Sequence, residues 1–354
     1  MPSRRQAAAA ALVLAVAAAA VAWMLATGAL AATQNLPTAT PVRFIMVGDT
    51  GTGERGQYEV AAALAQVCQK RGCQFAIHTG DNIYEHGPAG VDDPQFQDKF
   101  EKPYAKLDFP FFLVLGNHDQ SGIIPGSGVH PERGDYEVAY TAHSTKWVMP
   151  KRYYLFGVPF ASATDFAAQV PKPVVEFFAI DTNYLAPQNV PQFDWYRPMQ
   201  AYDLDQRKWL RDGLADSKAP WTIVFGHHPY LNNGKHGNAG EFFGLGLAKG
   251  EELKKMYEQE VCGKADFLVT GHDHSLQWLA PTKRCGARPQ FIISGAGAKP
   301  ETVATKGKNE AIWQAFGTLG FFWVEATRES LTFVAYTVDD KGKVTQAFEK
   351  TVTK

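Results

Sequence analysis

Five short runs share one chemical theme: Gly48-Asp49-Thr50-Gly51, Gly80-Asp81-Asn82-Ile83-Tyr84, Gly116-Asn117-His118-Asp119, Gly226-His227-His228-Pro229 and Gly271-His272-Asp273-His274. Each sets an acid, amide or imidazole directly behind a glycine, which permits the sharp turn that aims a side chain into a cleft. Half of the chain's ten histidines fall inside three of these runs. Carboxylates, an amide oxygen, imidazoles and a phenol form a hard-to-borderline nitrogen and oxygen donor set, and no cysteine lies within it. That set suits iron, manganese or zinc rather than copper or an iron–sulfur cluster. It offers more ligands than one ion takes, whereas two ions sharing a carboxylate would use them. Two ions ~3.5–4 Å apart can hold a hydroxide and clamp a phosphoryl group for in-line attack.

Residues so far apart in sequence meet only if the elements before them bring them to one edge. Each run follows an apolar stretch that reads as a strand: Val42–Val47, Phe75–His78, Phe111–Leu115, Trp221–Phe225 and Phe267–Thr270. Val174–Ile180, Phe291–Ser294, Phe321–Glu325 and Leu331–Thr337 supply further strands. Glu54–Lys70 reads as a helix with Val60, Leu64 and Val67 on one face, and Asp203–Ala215 as another carrying Leu204, Trp209, Leu210 and Leu214. A third helical stretch lies around Gln95–Tyr104. Alternating strands and helices followed by a strand-rich third imply an α/β fold with mixed sheets. Ligand sites in such folds lie at the carboxyl ends of the strands. No break in composition divides residues 41–354, so one domain is expected.

In this order the five runs, with Ser275-Leu276-Gln277 after His274 and Ser294-Gly295-Ala296-Gly297 beyond, resemble the metallophosphoesterases over residues 42–340. Within them the chain is most similar to the small purple acid phosphatases of the mammalian tartrate-resistant type. Most relatives carry a histidine two residues after the first aspartate, where this chain has Gly51; the purple branch uses a tyrosine in the second run instead, and Tyr84 stands there. The resemblance implies a four-layer α/β/β/α sandwich of two mixed sheets, with a dinuclear centre at the carboxyl ends of the strands. It implies Asp81 bridging two metals, with Asp49, Tyr84 and His274 on a ferric ion. Asn117, His227 and His272 would hold a divalent iron, zinc or manganese. The expected activity is an acid phosphatase acting on small phosphate monoesters by attack of a hydroxide held at that centre. His118 would meet phosphate or protonate the leaving alkoxide, Asp119 would orient its imidazole, and His236 in Gly234-Lys235-His236-Gly237 matches a second substrate-facing histidine. His228 takes the place of an aromatic residue in mammalian relatives; it either lines the cleft or competes with His227 as ligand. His78, His86, His130 and His143 read as surface or core residues, and Tyr184, Trp195 and Tyr196 as loop residues with a cleft wall as the alternative. A phosphodiester or nucleotide substrate is the neighbouring reading. An exported protein that binds metal or phosphate without turnover is the reading from a different class.

The remaining composition narrows the setting. With 354 residues, 45% of them hydrophobic, the chain can bury a substantial core. Its 35 basic and 36 acidic residues give no basic field for nucleic acid. Arg4 and Arg5 precede an uncharged stretch, Ala7–Ala32, with 15 alanines and a small-x-small pattern at Ala29-Leu30-Ala31. Residues 1–31 therefore read as an export signal, residues 32–41 as a short linker and 42–354 as the catalytic domain. Cleavage would leave a periplasmic or secreted protein without stable membrane association, its net charge moving from −1 to −3 with the loss of Arg4 and Arg5. An uncleaved anchor over residues 7–30 is the alternative. In an oxidising compartment the local cysteine pairs 68–73 and 262–285 are the expected disulfides, with free buried thiols as the alternative.

Overall fold

Strands covered on both faces lose the usual alternation of polar and apolar residues. β1 (Val42–Val47), β2 (Phe75–His78) and β3 (Phe111–Leu113) are buried almost throughout for this reason. The computed structural model describes residues 39–160, 170–186, 194–242, 249–302 and 308–354, so the expected signal over 1–31 lies outside the described residues. Among the described residues no helix is long and apolar enough to cross a membrane. β1, β2, β3 and β4 (Trp147–Val148) run parallel. On the other side of β1 the antiparallel β12 (Leu319–Ala326), β13 (Ser330–Val338) and β14 (Val344–Thr353) complete seven strands.

The second sheet also has seven strands. β6 (Val175–Ala179), β7 (Trp221–Phe225), β8 (Phe267–Thr270) and β10 (Gln290–Ser294) are its parallel centre. β5 (Tyr154–Val158) flanks β6 on one side, and β9 (Leu276–Leu279) then β11 (Ala311–Ala315) continue beyond β10 on the other, all antiparallel to their neighbours. Successive residues of these strands enter different cores, as the two-residue period requires. Phe177, Ile223, Phe225, Phe267 and Ile292 join the core shared with the first sheet; Phe178, Val224, Leu268 and Ile293 join the outer one. Between the sheets Phe177 meets Phe44 edge-on at 5.2 Å, and Phe267 and Trp278 meet Phe333 at 4.8 and 4.9 Å.

Helices close both outer faces. α1 (Arg55–Arg71) contributes Val60, Leu64 and Val67 to the first core, and α2 (Pro131–Tyr140) stacks Tyr140 on Phe96 at 3.8 Å. α3 (Ala201–Asp216) and α4 (Glu251–Met256) bury Leu210, Leu214, Leu253 and Met256 against the second sheet. The result is the expected α/β/β/α sandwich. Cys68–Cys73 and Cys262–Cys285 are both disulfides, and no free cysteine remains among the described residues.

Register determines where the loops emerge. Val47 pairs with His78, and His78 with Leu113, so β1, β2 and β3 end at one level. Phe225 pairs with Val269 in the other sheet. Ser294 Oγ donates to the Met46 carbonyl at 2.7 Å, and the Gly297 amide donates to the Gly48 carbonyl at 3.2 Å. These bonds hold the carboxyl ends of the two sheets side by side.

Candidate metal centre

Three of the expected ligands sit on backbone that L-residues avoid: φ is 57° at Asp49, 52° at Asp81 and 70° at His272. Each such residue costs on the order of 1–3 kcal/mol, a cost that clusters where a side chain must be aimed. Gly80, at φ 87°, allows a close approach as well, since a Cβ there would lie 2.8 Å from His227 Nδ1. The loops after β1, β2 and β3 deliver Asp49, Asp81, Tyr84, Asn117 and His118, and those after β7 and β8 deliver His227, His272 and His274.

These side chains converge in two groups that share Asp49 and Asp81 as neighbours. Tyr84 Oη donates to Asp49 Oδ1 at 3.2 Å and lies 3.1 Å from His274 Nε2, which is 3.7 Å from Asp49 Oδ1. His227 Nε2 lies 2.9 Å from Asn117 Oδ1, 3.2 Å from His272 Nδ1 and 3.5 Å from Asp81 Oδ1. Asp49, Asp81 and His227 can each turn one ligand atom to within 4.8 Å of the others.

The donor chemistry fits bound cations. His227 Nδ1 donates to the Thr79 carbonyl at 2.8 Å, which leaves the Nε2 lone pair facing Asn117 and Asp81. The Asn117 amide donates to the Gly126 carbonyl at 2.9 Å, which turns its Oδ1 toward the same point. Burial, and then the neighbouring Asp81 charge, push Asp49 well above the usual carboxylate range. Burial likewise holds His272 well below the ordinary imidazole value, so it stays a neutral donor. Burial and the charges of Asp49 and Asp81 push the Tyr84 phenol far up. Only strong positive charge in the pocket would ionise it.

The sequence pattern of calcineurin-like phosphoesterases matches residues 42–276. The chain belongs to that family, in its purple acid phosphatase branch. It is 30% identical to Purple acid phosphatase 3 of Arabidopsis thaliana over 334 residues, covering 90% of this chain and 80% of that protein. It is 28% identical to Tartrate-resistant acid phosphatase type 5 of Oryctolagus cuniculus over 275 residues, 73% of this chain and 74% of the rabbit protein. In structure it is similar to GAP50, the anchor in the inner membrane complex of Plasmodium, with TM-score 0.63 and 20% identity over 88% of each chain. The purple acid phosphatase from Lupinus luteus seeds aligns with TM-score 0.59 and 17% identity, over 91% of this chain and 55% of that one. The two structures share the fold; the sequence relatives make this a phosphoesterase of small phosphate esters.

For a phosphoesterase the groups around the ligands carry the rest of the chemistry, and here the structure corrects one expectation. Asp119 does not meet the His118 imidazole. It is buried beneath the loops, accepting from the amides of Gly116 (2.6 Å) and Ile83 (2.9 Å) and from Asn82 Nδ2 (3.0 Å). The group at His118 is Glu85: its carbonyl accepts from Nδ1 at 2.8 Å, and its carboxylate lies 3.6 Å away. Glu85 is in turn paired with Lys299 at 2.5 Å, whose ammonium lies 4.6 Å from the centre of the Tyr84 ring. Adjacency to Tyr84 was the one sequence signal for Glu85; Lys299 had none.

Asp119 instead shares a buried pocket with Glu137 of α2, which also accepts from Asn82 Nδ2, at 2.8 Å. Burial pushes Glu137 up to about 8, and burial with the Glu137 charge pushes Asp119 well above its usual range. A carboxyl raised from 4.5 to about 8 on folding stabilises the native state below pH 4.5, and that stability is lost as pH rises through 8. Glu137→Gln keeps an acceptor for Asn82 and removes the titration. Urea unfolding of the wild type is expected to weaken between about pH 5 and 8, with a slope of up to about 1.4 kcal/mol per pH unit from this group. In the variant that slope flattens; equal slopes would show that the pair does not hold a proton.

His236 lies beside His272. Its ring stacks on His272 at 4.1 Å and its Nδ1 lies 3.2 Å from Asp273 Oδ2. His228 is buried with Nδ1 2.9 Å from Thr182 Oγ1 and its ring 4.5 Å from His272, and its ligand atom lies within 4.8 Å of those of His227 and His272, while His227 is the one beside Asn117 and Asp81. His78 bonds Thr50 Oγ1 at 2.9 Å, and His130 bonds Glu132 at 2.9 Å, both outside the ligand cluster. Tyr184 and Tyr196 are buried under α3, bonded to Asp203 and Asp181, and form no cleft wall.

Proposed function

We propose that the protein is an exported acid phosphatase that hydrolyses phosphate monoesters at a dinuclear centre of one ferric and one divalent ion. The single observation that carries this reading is the contact of the Tyr84 phenol with Asp49 and His274, a donor set that favours a trivalent cation. Asp81 would bridge the two positions, and Asn117, His227 and His272 would hold the divalent iron, zinc or manganese. When bound, the ions supply Lewis acidity and activate water. The chain's own residues do the rest. His118, held through Nδ1 by Glu85, presents Nε2 to the leaving oxygen and gives it a proton. His236, braced by Asp273, binds a phosphate oxygen. The catalytic domain spans 42–354, released by cleavage near Ala31.

Colour tests the ferric assignment. A phenolate on ferric iron gives a broad visible absorption, so the iron-loaded protein is expected to be purple or pink. Lys299 above the ring favours the electron-rich phenolate in the same sense. Tyr84→Phe is expected to abolish the band with little change in thermal midpoint. An active, iron-loaded wild type without visible absorption would remove the tyrosinate. Turnover of p-nitrophenyl phosphate separates this reading from a protein that binds phosphate or metal without catalysis; the fold alone does not decide it, since an anchor protein shares the fold.

A further inference from the structure

Two adjacent isoleucines stand in water at the rim of the site: Ile123 is 93% exposed and Ile124 66%. Single exposed apolar residues need no explanation. This pair differs in its placement. Both feet of its loop are fastened to the segment that carries Asn117 and His118. The Ser121 amide donates to the His118 carbonyl at 3.0 Å, and Ser121 Oγ donates to the Asn117 carbonyl at 2.6 Å while accepting from Gly128 N at 3.0 Å. On the return side the Gly126 carbonyl accepts from the Asn117 side chain at 2.9 Å, and Ser127 N donates to the Ile124 carbonyl at 3.3 Å. Gly126, at φ 68°, comes so near the site that a Cβ on it would lie 2.9 Å from His118 Nε2. That nitrogen is the one left free by the Nδ1 bond to Glu85. Ile124 therefore stands two residues before Gly126, which lies against His118 Nε2, and a fixed turn sets it there.

We propose that Ile123 and Ile124 form an apolar rest for the leaving group, so that the preferred substrates are phosphate monoesters of alcohols with a hydrocarbon body. The proposal rests on the monoesterase reading above. Complete removal of a methylene from water is worth about fourfold in an equilibrium constant, so contact along one side is worth about twofold per methylene. Two measurements on the metal-loaded protein test it: affinity for n-alkylphosphonates, which bind without turnover, and kcat/KM for n-alkyl phosphates, each from ethyl to octyl. In the wild type both are expected to rise about twofold per methylene. Ile123→Ser with Ile124→Ser is expected to flatten both series and leave the ethyl compounds unchanged. A flat phosphonate series in the wild type, or an equally steep one in the double variant, overturns the proposal. A graded phosphonate series without turnover of any ester overturns the monoesterase reading and supports the apolar rest. Sedimentation with phosphatidylcholine vesicles covers the other use of such a tip. Vesicle binding lost in the double variant, with a flat alkyl series, would make the loop a membrane contact and overturn the proposal.

Discussion

Asp81→Asn is expected to leave the purified protein with one metal equivalent or fewer, where the wild type is expected to hold two. The substitution is nearly isosteric, and the asparagine oxygen can still accept the His118 amide that Asp81 Oδ1 accepts at 2.9 Å. What is lost is charge. Two cations ~3.5–4 Å apart repel strongly, and a bridging carboxylate offsets that repulsion at both ions at once. In the protein alone, burial acts to raise the Asp81 pKa, yet His227, His118 and the amide hydrogen bond outweigh it and hold the group at about 2. Loss of one ion removes several kcal/mol of charge stabilisation, so turnover is expected to fall on the order of 10³-fold. Asn117→Ala supplies the contrast. Its oxygen faces His227 Nε2, a proposed ligand of the divalent ion, so occupancy is expected to drop at that position and the visible band to survive. Elemental analysis and the visible spectrum of both variants check the pair. Two retained metals in both would show that neither residue is a ligand.

The donor set was legible in the sequence because each donor follows a strand by one to a few residues, and strands buried on both faces announce themselves as unbroken apolar runs. Val42–Val47, Phe75–His78, Trp221–Phe225 and Phe267–Thr270 were read to the residue. β14 (Val344–Thr353) was not, since it is an edge strand with alternating exposure and a polar sequence, whose signal is weak. β4, of two residues, is too short to show a period. The groups that support the ligands were largely invisible for another reason. Glu85, Glu137 and Lys299 reach the site by tertiary packing, from a loop next to Tyr84, from the middle of α2 and from the loop after β10. Nothing in local spacing marks them. Asp119 shows the converse failure: adjacency to His118 suggested a contact, but after a tight turn neighbouring side chains point apart, and Asp119 turns inward to the amides of Gly116 and Ile83.

His118→Ala is expected to separate substrates by their leaving groups. An alkoxide needs a proton as the P–O bond breaks, whereas p-nitrophenolate leaves readily without one. General acid catalysis contributes about 10²–10⁴-fold, so kcat for alkyl phosphates is expected to fall by that factor and kcat for p-nitrophenyl phosphate far less. Metal content is expected to stay at the wild-type level, because His118 is not among the proposed ligands. Glu85→Gln retains the carbonyl that holds Nδ1 but removes the carboxylate 3.6 Å away, so it is expected to leave the ring in place and lower kcat for alkyl phosphates less than His118→Ala does. His236→Ala gives the control for phosphate binding: KM rises for both substrate types together. Equal losses for alkyl and p-nitrophenyl substrates in His118→Ala would make His118 a phosphate contact, and proton delivery would then fall to His236 or to solvent.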